Sequence, residues 1–352
     1  MSGPLDRGCV VAVVGATGAV GAVLLEVLAE RSFPVAELRP LASERSAGTA
    51  VTFRGETLRV ELAAPDWFDG ADLVFFAATG ALSKELGPEV ARRGGIAIDK
   101  SSTWRLHQRV PLVVPEVNAD RVEDHDGILA CPNCTTIPLV MVLEPLRRRA
   151  GLKSVVVTTF QSVSGAGLPG LEELAAQQSA QLAGEPLPPP HAFPAQIADN
   201  VIPVCEALLP DGYSSEEHKL LDESRKILEL PELQVSMTCV RVPVPVGHSG
   251  AVLVETERPL AVQEAIEALR AFPGIVVYPD GPHPTPADVA GRDDVLVGRI
   301  RRDLHSDRLW LWEVGDNLRK GAATNAVQIA EELLRRELVG SSREPAKMAR
   351  RF

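Results

Sequence analysis

The strongest constraint on the fold is a glycine-rich turn near the start of the chain, set between an apolar strand and a helix. Cys9-Val-Val-Ala-Val-Val14 is a continuous apolar run and reads as a buried strand. Gly15-Ala-Thr-Gly18-Ala-Val-Gly21 follows, and Ala22–Glu30 is helical in pattern. A strand, a glycine turn and a helix open a dinucleotide-binding fold. The glycines permit a tight turn and let backbone amides approach a pyrophosphate at the helix N-terminus. The spacing is GxxGxxG rather than GxGxxG. Gly15, Ala16, Thr17, Gly18, Ala19, Val20 and Gly21 are the expected cofactor contacts.

The next segments keep the same alternation. A second strand at 36–42 runs into Ser43-Glu-Arg-Ser-Ala-Gly48. An acidic residue roughly twenty positions beyond the glycines would hold a ribose hydroxyl in an NAD enzyme. This stretch instead offers Arg45 with Ser43 and Ser46, which suit a 2′-phosphate and favour NADP, with Glu44 as a counterweight. A strand at 72–78, a helix at about 83–93 and a strand at 96–99 complete a βαβ pattern, which predicts a parallel, doubly wound sheet. Ser101–Arg105 then suits a ligand-facing loop at the sheet's C-terminal edge.

At 352 residues the chain has room for two domains. Its net charge of −11 argues against non-specific nucleic-acid binding. Five cysteines, few and odd in number, argue against a disulfide framework and for a cytoplasmic location. There is no secretory signal and no apolar run long enough to span a membrane, so no membrane partner is expected. No metal site is expected either.

The character changes after Cys131-Pro-Asn-Cys-Thr-Thr-Ile-Pro138, which an apolar run precedes and a helical segment follows. Helix N-terminal amides at such a junction favour a thiolate on Cys134 and can bind an oxyanion; alternatively, the cysteine is structural. Residues 155–161 read as a strand, 162–170 as a flexible loop and 171–183 as a helix. Residues 184–215 are irregular and fit surface arms or a subunit contact. Ser214 opens a helix to Leu228 with an N-cap signature, and Glu216 and Lys219 share one face of it. Strands follow at 235–243 and 251–255. His248 stands in the break between them, where a histidine can be exposed as a general base or be a loop residue without chemistry. Residues 295–301 and 309–314 read as paired strands, and 323–338 as a helix. The tail 339–352 is charged and is expected to fray. A nicotinamide cofactor, a cysteine nucleophile, a histidine base and arginines for anions together describe aldehyde oxidation through a thioester.

At these residues the chain closely resembles the aspartate-semialdehyde dehydrogenase family, from about residue 9 to about 338. The resemblance is carried by GATGAVG at 15–21, LASERSAG at 41–48, VPLVVPEVN at 110–118, ACPNCTTI at 130–137 and TTFQSVSGAG at 158–167. It continues through NVIP at 200–203, CVRVPVPVGHS at 239–249, VGRIRRD at 297–303 and DNLRKGAATNAVQIAE at 316–331.

The resemblance implies reversible, NADP-dependent conversion of L-aspartate 4-semialdehyde and inorganic phosphate to L-4-aspartyl phosphate, feeding lysine, methionine and threonine synthesis. By motif, Cys134 is the implied nucleophile, His248 the acid/base and Gln161 the residue that orients the acyl intermediate, with Asn133 in the same pocket. Arg105 and Lys219 are implied to hold phosphate. Arg241 would take the substrate carboxylate, and Glu216 or Glu217 its ammonium. Asn317, Ser164 and Gly165 would lie near the nicotinamide. The implied architecture is an α/β fold. A Rossmann-like NADP domain spans 1–133 and 317–352, an α+β catalytic and dimerisation domain spans 134–316, and the C-terminal helix returns to the first domain. The implied assembly is a homodimer or a tetramer. The chain departs from the family pattern at Lys100, where asparagine is expected. The rivals are a related reductase acting on N-acetyl-glutamyl phosphate or glyceraldehyde 3-phosphate, and a silent nucleotide-binding paralogue.

Overall fold

The computed structural model describes residues 8–340. The chain divides into two compact units, Met1–Pro132 with Ala322–Phe352 and Asn133–Gly321.

The first unit is built on six parallel strands. β1 (Cys9–Val14), β2 (Val35–Ala42), β5 (Glu61–Leu62), β6 (Leu73–Phe76), β7 (Ile96–Asp99) and β8 (Ile128–Ala130) lie in the order β5-β2-β1-β6-β7-β8. All of their pairings are parallel. A small antiparallel hairpin, β3 (Ala50–Phe53) with β4 (Glu56–Arg59), interrupts the alternation. The central strands β1, β6, β7 and β8 are almost entirely apolar, because parallel strands inside a sheet are covered on both faces, whereas β2 and the edge strand β5 carry charged residues. Every residue of β6 and β7 is buried, including Asp99. Helix α1 (Ala19–Glu30) links β1 to β2, and α2 (Gly80–Arg92) links β6 to β7. The chain leaves β1 for β2 on one side and finds β6 on the other, which makes a switch point at their C-terminal ends.

The C-terminal helix, Thr324–Arg335, packs on this unit. Asn325 Nδ2 donates to the Val113 carbonyl at 2.9 Å, and Glu331 takes Arg31 in a two-point ion pair. The expected return of this helix to the nucleotide unit is therefore observed. Of the tail expected to fray, residues 341–352 lie outside the described residues.

The second unit carries a mixed sheet. Its strands are β9 (Ser154–Gln161), β10 (Gln234–Arg241), β11 (His248–Glu255), β12 (Ile275–Tyr278), β13 (Val295–Arg302) and β14 (Leu309–Gly315). Their order is β10-β9-β11-β14-β13-β12. Helices α3 (Thr136–Ala150), α5 (Ser215–Leu228) and α6 (Val262–Arg270) pack on the sheet and on one another, whereas α4 (Leu168–Ala183) packs on the turn after β9. Alternation along β9 buries Val155, Val157, Thr159 and Gln161 and leaves Val156 exposed. Val156, half-buried Phe160 and the half-buried Trp310 and Trp312 of β14 are among the large apolar residues of the less covered positions, with the rings of Phe160 and Trp312 5.5 Å apart. The expected pairing of β13 with β14 is present and antiparallel.

Two expectations change. Residues 162–170 are not a flexible loop. Val163–Ala166 form a 3-10 turn, Val163 and Ser164 are buried, and their amides donate to the carbonyls of Val244 and Pro245. Serine and glycine composition conceals those long-range acceptors. His248 is likewise not exposed in a break. It is the first residue of β11, pairs with Gly315, and is only 1% exposed. The break ends one residue earlier, at Gly247, whose φ of +96° suits glycine.

Candidate active site

In the first unit the glycine turn lies at the switch point. Gly15 has φ +87°, and a side chain there would meet the Ala77 carbonyl at 2.4 Å, so only glycine allows the turn to lie on the end of β6. A Cβ at Gly21 would fall 2.1 Å from the Gly15 carbonyl, which brings α1 close behind the turn. Gly18 is the N-cap of α1 and provides no side-chain cap, and the first turn of the helix has no acidic residue. This leaves the helix N-terminus suited to an anion and fits a dinucleotide pyrophosphate. Ala16 is buried, whereas Thr17, Ala19 and Val20 are half-buried along the same turn. Ser43 and Arg45 are exposed and Ser46 is half-buried in the turn after β2.

Arg105 belongs to this unit and is buried. Its Nε donates to the Cys131 carbonyl at 3.0 Å and its Nη2 to the Lys100 carbonyl at 2.7 Å. Lys100 is itself anchored through its amide to the Phe76 carbonyl. Burial raises the Asp99 carboxyl above its ordinary range, although Ser101, Ser83 and Arg105 oppose the shift.

The second unit gathers the remaining candidates at one end of its sheet. Gln161 ends β9, Arg241 ends the parallel β10 beside it, and His248 starts the antiparallel β11, so all three lie at the same edge. Cys134, half-buried, stands two residues before α3. A Cβ at Gly321 would meet the Cys134 carbonyl at 3.1 Å and the Cys134 Cβ at 3.2 Å, so this glycine packs directly on the cysteine.

Its neighbour Asn133 is buried and fully engaged. Asn133 Nδ2 donates to both oxygens of Glu216 at 3.0 Å, and Asn133 Oδ1 accepts from the Thr135 amide at 2.8 Å. Gln161 Nε2 donates to Glu216 at 3.3 Å, and Lys219 Nζ lies 3.2 Å from the same carboxylate. Lys219 also donates to Glu206. Burial by itself would lower the Lys219 ammonium, but Glu216 and Glu206 outweigh it and hold it above its ordinary value.

Glu216 and Glu217 differ in their surroundings. Glu217 closes the capping box with Ser214 and accepts the Cys239 amide at 3.0 Å. It terminates and anchors α5, whereas Glu216 faces Asn133 and Gln161.

His248 Nδ1 accepts the Ser162 amide at 3.0 Å. A backbone N–H can only donate, so this contact assigns the proton of the neutral ring to Nε2. Gly165 lies against that face. A Cβ there would fall 2.7 Å from Arg241 Nη1 and 3.2 Å from His248 Nε2. Arg241 Nη1 donates to the Ser162 carbonyl at 2.6 Å, and its guanidinium lies 5.7 Å from the Phe193 ring. The NVIP segment reaches the same place through Ile202, which exchanges backbone hydrogen bonds with Arg241. Asn317 ties the surrounding loops together. Its Oδ1 accepts from the Ser162 hydroxyl at 3.0 Å and the Gly247 amide at 2.9 Å, and its Nδ2 donates to the Ser164 hydroxyl at 2.9 Å.

The second unit therefore gathers Cys134, Asn133, Gln161, Glu216, Lys219, Arg241, His248, Ser164, Gly165 and Asn317. Arg105 and the cofactor-turn residues belong to the first unit. Sequence reasoning missed Ser162, Glu206, Gly321 and Glu223. Glu223 alone left a signal, since it lies seven residues after Glu216 on a helix. Cys205 is also buried in this unit, and burial pushes its thiol up to about 12, partly opposed by Arg241. It stays protonated at neutral pH.

Comparison with known proteins gives a consistent result. Residues 10–125 match the family model described as semialdehyde dehydrogenase, NAD binding domain, and 143–320 the one described as semialdehyde dehydrogenase, dimerisation domain. The aspartate-semialdehyde dehydrogenase of Aquifex aeolicus is 48% identical over 94% of this chain and 99% of its own length. That of Bacillus subtilis is 46% identical over 95% of this chain and 100% of its own. The crystal structure of aspartate semialdehyde dehydrogenase II from Vibrio cholerae superposes with a TM-score of 0.91 at 44% identity, covering 93% of this chain and 98% of that one. The Candida albicans enzyme solved with NADP gives a TM-score of 0.75 at 25% identity, covering 94% and 99% of the two chains.

Proposed function

The chain belongs to the aspartate-semialdehyde dehydrogenase family, and from that premise we propose that it interconverts L-aspartate 4-semialdehyde plus phosphate and L-4-aspartyl phosphate, using NADP and a thioester on Cys134. The observation that carries this reading is the hydrogen-bond network leading from Asn133, next to Cys134, through Glu216 to Gln161 and Lys219. Arg241 and His248 lie at the same sheet edge, both against Gly165.

In the oxidative direction the Cys134 sulfur adds to the aldehyde carbon and gives a thiohemiacetal. Bound NADP would supply the acceptor for the hydride of that carbon. The hydroxyl proton goes to solvent, and the resulting oxyanion, which accepts from His248 Nε2–H, collapses to the carbonyl as the hydride departs. The product on the enzyme is a thioester, held in orientation by Gln161. A phosphate oxygen then attacks the acyl carbon, the C–S bond breaks, and the sulfur returns to Cys134 as aspartyl phosphate leaves. Arg241 holds the substrate carboxylate, since a planar guanidinium binds it at two points. Glu216 receives the substrate ammonium in place of part of its contact with Asn133. Lys219 and Arg105 hold phosphate.

The fit of the glycine turn supports a dinucleotide, and Arg45 with Ser43 and Ser46 supports the 2′-phosphate of NADP, as does the Candida albicans relative solved with it. Asn317, Ser164 and Gly165 border the nicotinamide. We assign the cofactor and catalytic domains to 1–133 with 317–352 and to 134–316. The row of Val156, Phe160, Trp310 and Trp312 faces a second copy in a homodimer, in keeping with the dimerisation model matched by this segment. The activity belongs to lysine, methionine and threonine synthesis in the cytoplasm.

The test is the near-ultraviolet absorbance of reduced nicotinamide with aspartate semialdehyde and NADP, with and without phosphate. Phosphate-dependent reduction that vanishes in Cys134→Ala is the expected result. Turnover independent of phosphate, or surviving the loss of Cys134, would overturn the thioester route.

A further inference from the structure

The loop that carries Cys134 is gripped by one helix through two carboxylates. The buried face of α5 presents Glu216, Leu220, Glu223 and Ile227. Glu216 and Glu223 are seven residues apart, two turns of helix, and so lie on the same side. Glu216 holds the Asn133 side chain. Glu223 Oε2 accepts the Asn133 backbone N–H at 2.6 Å. The Asn133 carbonyl accepts the Ile137 amide at 3.1 Å, and Oδ1 accepts the amide and hydroxyl of Thr135. Every polar group of the residue bonded to Cys134 is thus engaged.

Glu223 is 1% exposed. A carboxylate at that depth is costly to bury, and removing a partner from such a group is more disruptive than replacing both. Its contact with Asn133 is short and buried, where a hydrogen bond is stronger than in water. The peptide plane between Pro132 and Asn133 carries that N–H. Fixing it limits rotation at Asn133 and so the direction in which the Cys134 side chain leaves the backbone. The same contact removes the Asn133 amide from the possible oxyanion donors. The Thr135 amide is removed by Asn133 Oδ1.

We propose that Glu223 is a positioning residue for the reaction, acting through the Asn133 backbone amide to aim Cys134 at the acyl carbon. The proposal rests on Cys134 being the nucleophile. It predicts that what matters at position 223 is a hydrogen-bond acceptor at the reach of a glutamate, and not the charge.

The test compares Glu223→Ala, Glu223→Gln and Glu223→Asp in the full chain, with kcat, KM and the rate of Cys134 alkylation by iodoacetamide as readouts. Glu223→Ala should lower kcat roughly 10–100-fold, the scale of a small misplacement of a reacting group. KM for semialdehyde should stay within about threefold, because substrate binding is not what Glu223 serves. Glu223→Gln, whose amide oxygen still accepts the Asn133 N–H, should keep kcat within about threefold of wild type. Glu223→Asp, one methylene shorter, should lose kcat as the alanine variant does. Wild-type kcat in Glu223→Ala would overturn the proposal, as would a loss in Glu223→Gln equal to that in Glu223→Asp. If the alanine variant fails to fold, the Gln–Asp pair decides alone. Turnover that survives Cys134→Ala would instead overturn the nucleophile assignment. Cys134-dependent turnover that ignores position 223 would overturn only the positioning role.

Discussion

Ser162 donates its backbone N–H to Nδ1 of His248 at 3.0 Å, and this contact leaves the proton of the neutral ring on Nε2. The Ser162 hydroxyl, 3.0 Å from the same nitrogen, is held by Asn317, so the imidazole is braced by a loop that is itself braced. His248→Asn removes the Nε2–H that the proposed mechanism offers to the substrate oxygen. It should lower kcat by roughly two to three orders of magnitude, the usual cost of losing one oxyanion donor. NADP affinity, measured by fluorescence titration, should be unchanged. A wild-type kcat would remove His248 from the mechanism.

Gly165 separates Arg241 from His248 because it has no side chain. Its φ lies outside the left-handed region, so backbone conformation does not demand glycine there. Space does, since an alanine Cβ would stand 2.7 Å from Arg241 Nη1. Gly165→Ala should therefore displace the guanidinium and cost about 1–3 kcal/mol in overpacking. Kinetics should show a raised KM for semialdehyde together with a lowered kcat. Unchanged KM would mean that Arg241 does not hold the carboxylate where it now stands.

How much of this was legible in the sequence depended on whether the signal was local. The Gly15 turn was legible because a tight turn against β6 leaves glycines at fixed offsets after an apolar strand. The helix opened by Ser214 was legible because capping chemistry is written within four residues. The split between Glu216 and Glu217 was not, because it depends on Cys239, a partner in a distant strand that claims one of two adjacent acids. The order of residues 162–166 was hidden for the same reason: their acceptors, Val244 and Pro245, lie about eighty positions away. His248 was singled out by its motif, but its burial follows from strand register with Gly315, which composition does not encode.

Glu313 on β14 gives the fold a pH dependence. It is buried opposite Gly250, whose missing side chain leaves room for it, since a Cβ there would meet Glu313 Oε1 at 2.4 Å. Burial pushes its carboxyl from 4.5 up to about 8. The folded chain thus keeps a proton that the unfolded chain releases. The stabilisation is complete below the unfolded value of 4.5 and is lost as pH rises through about 8. Glu313→Gln, neutral at every pH, should flatten this dependence. The fall in Tm between about pH 6 and about pH 9 should be smaller in the variant than in wild type. Parallel curves would show that Glu313 does not carry the proton.

Arg45 is the remaining residue whose assignment separates two cofactors. It is exposed in the turn after β2, with Ser43 beside it and Ser46 half-buried. Glu44 lies between them and would repel a phosphate, so the proposed preference for NADP rests on the arginine. Arg45→Ala deletes a charged hydrogen bond worth about 1.5–3 kcal/mol. That corresponds to a roughly 10–100-fold loss in kcat/KM for NADP. NAD has no 2′-phosphate to lose, so its kcat/KM should change by less than about threefold. The readout is the ratio of the two constants, measured on one preparation so that any effect on folding cancels. If both fall together, Arg45 supports the turn rather than the phosphate. If neither falls, the 2′-phosphate is held elsewhere, and Ser43 and Ser46 become the residues to replace.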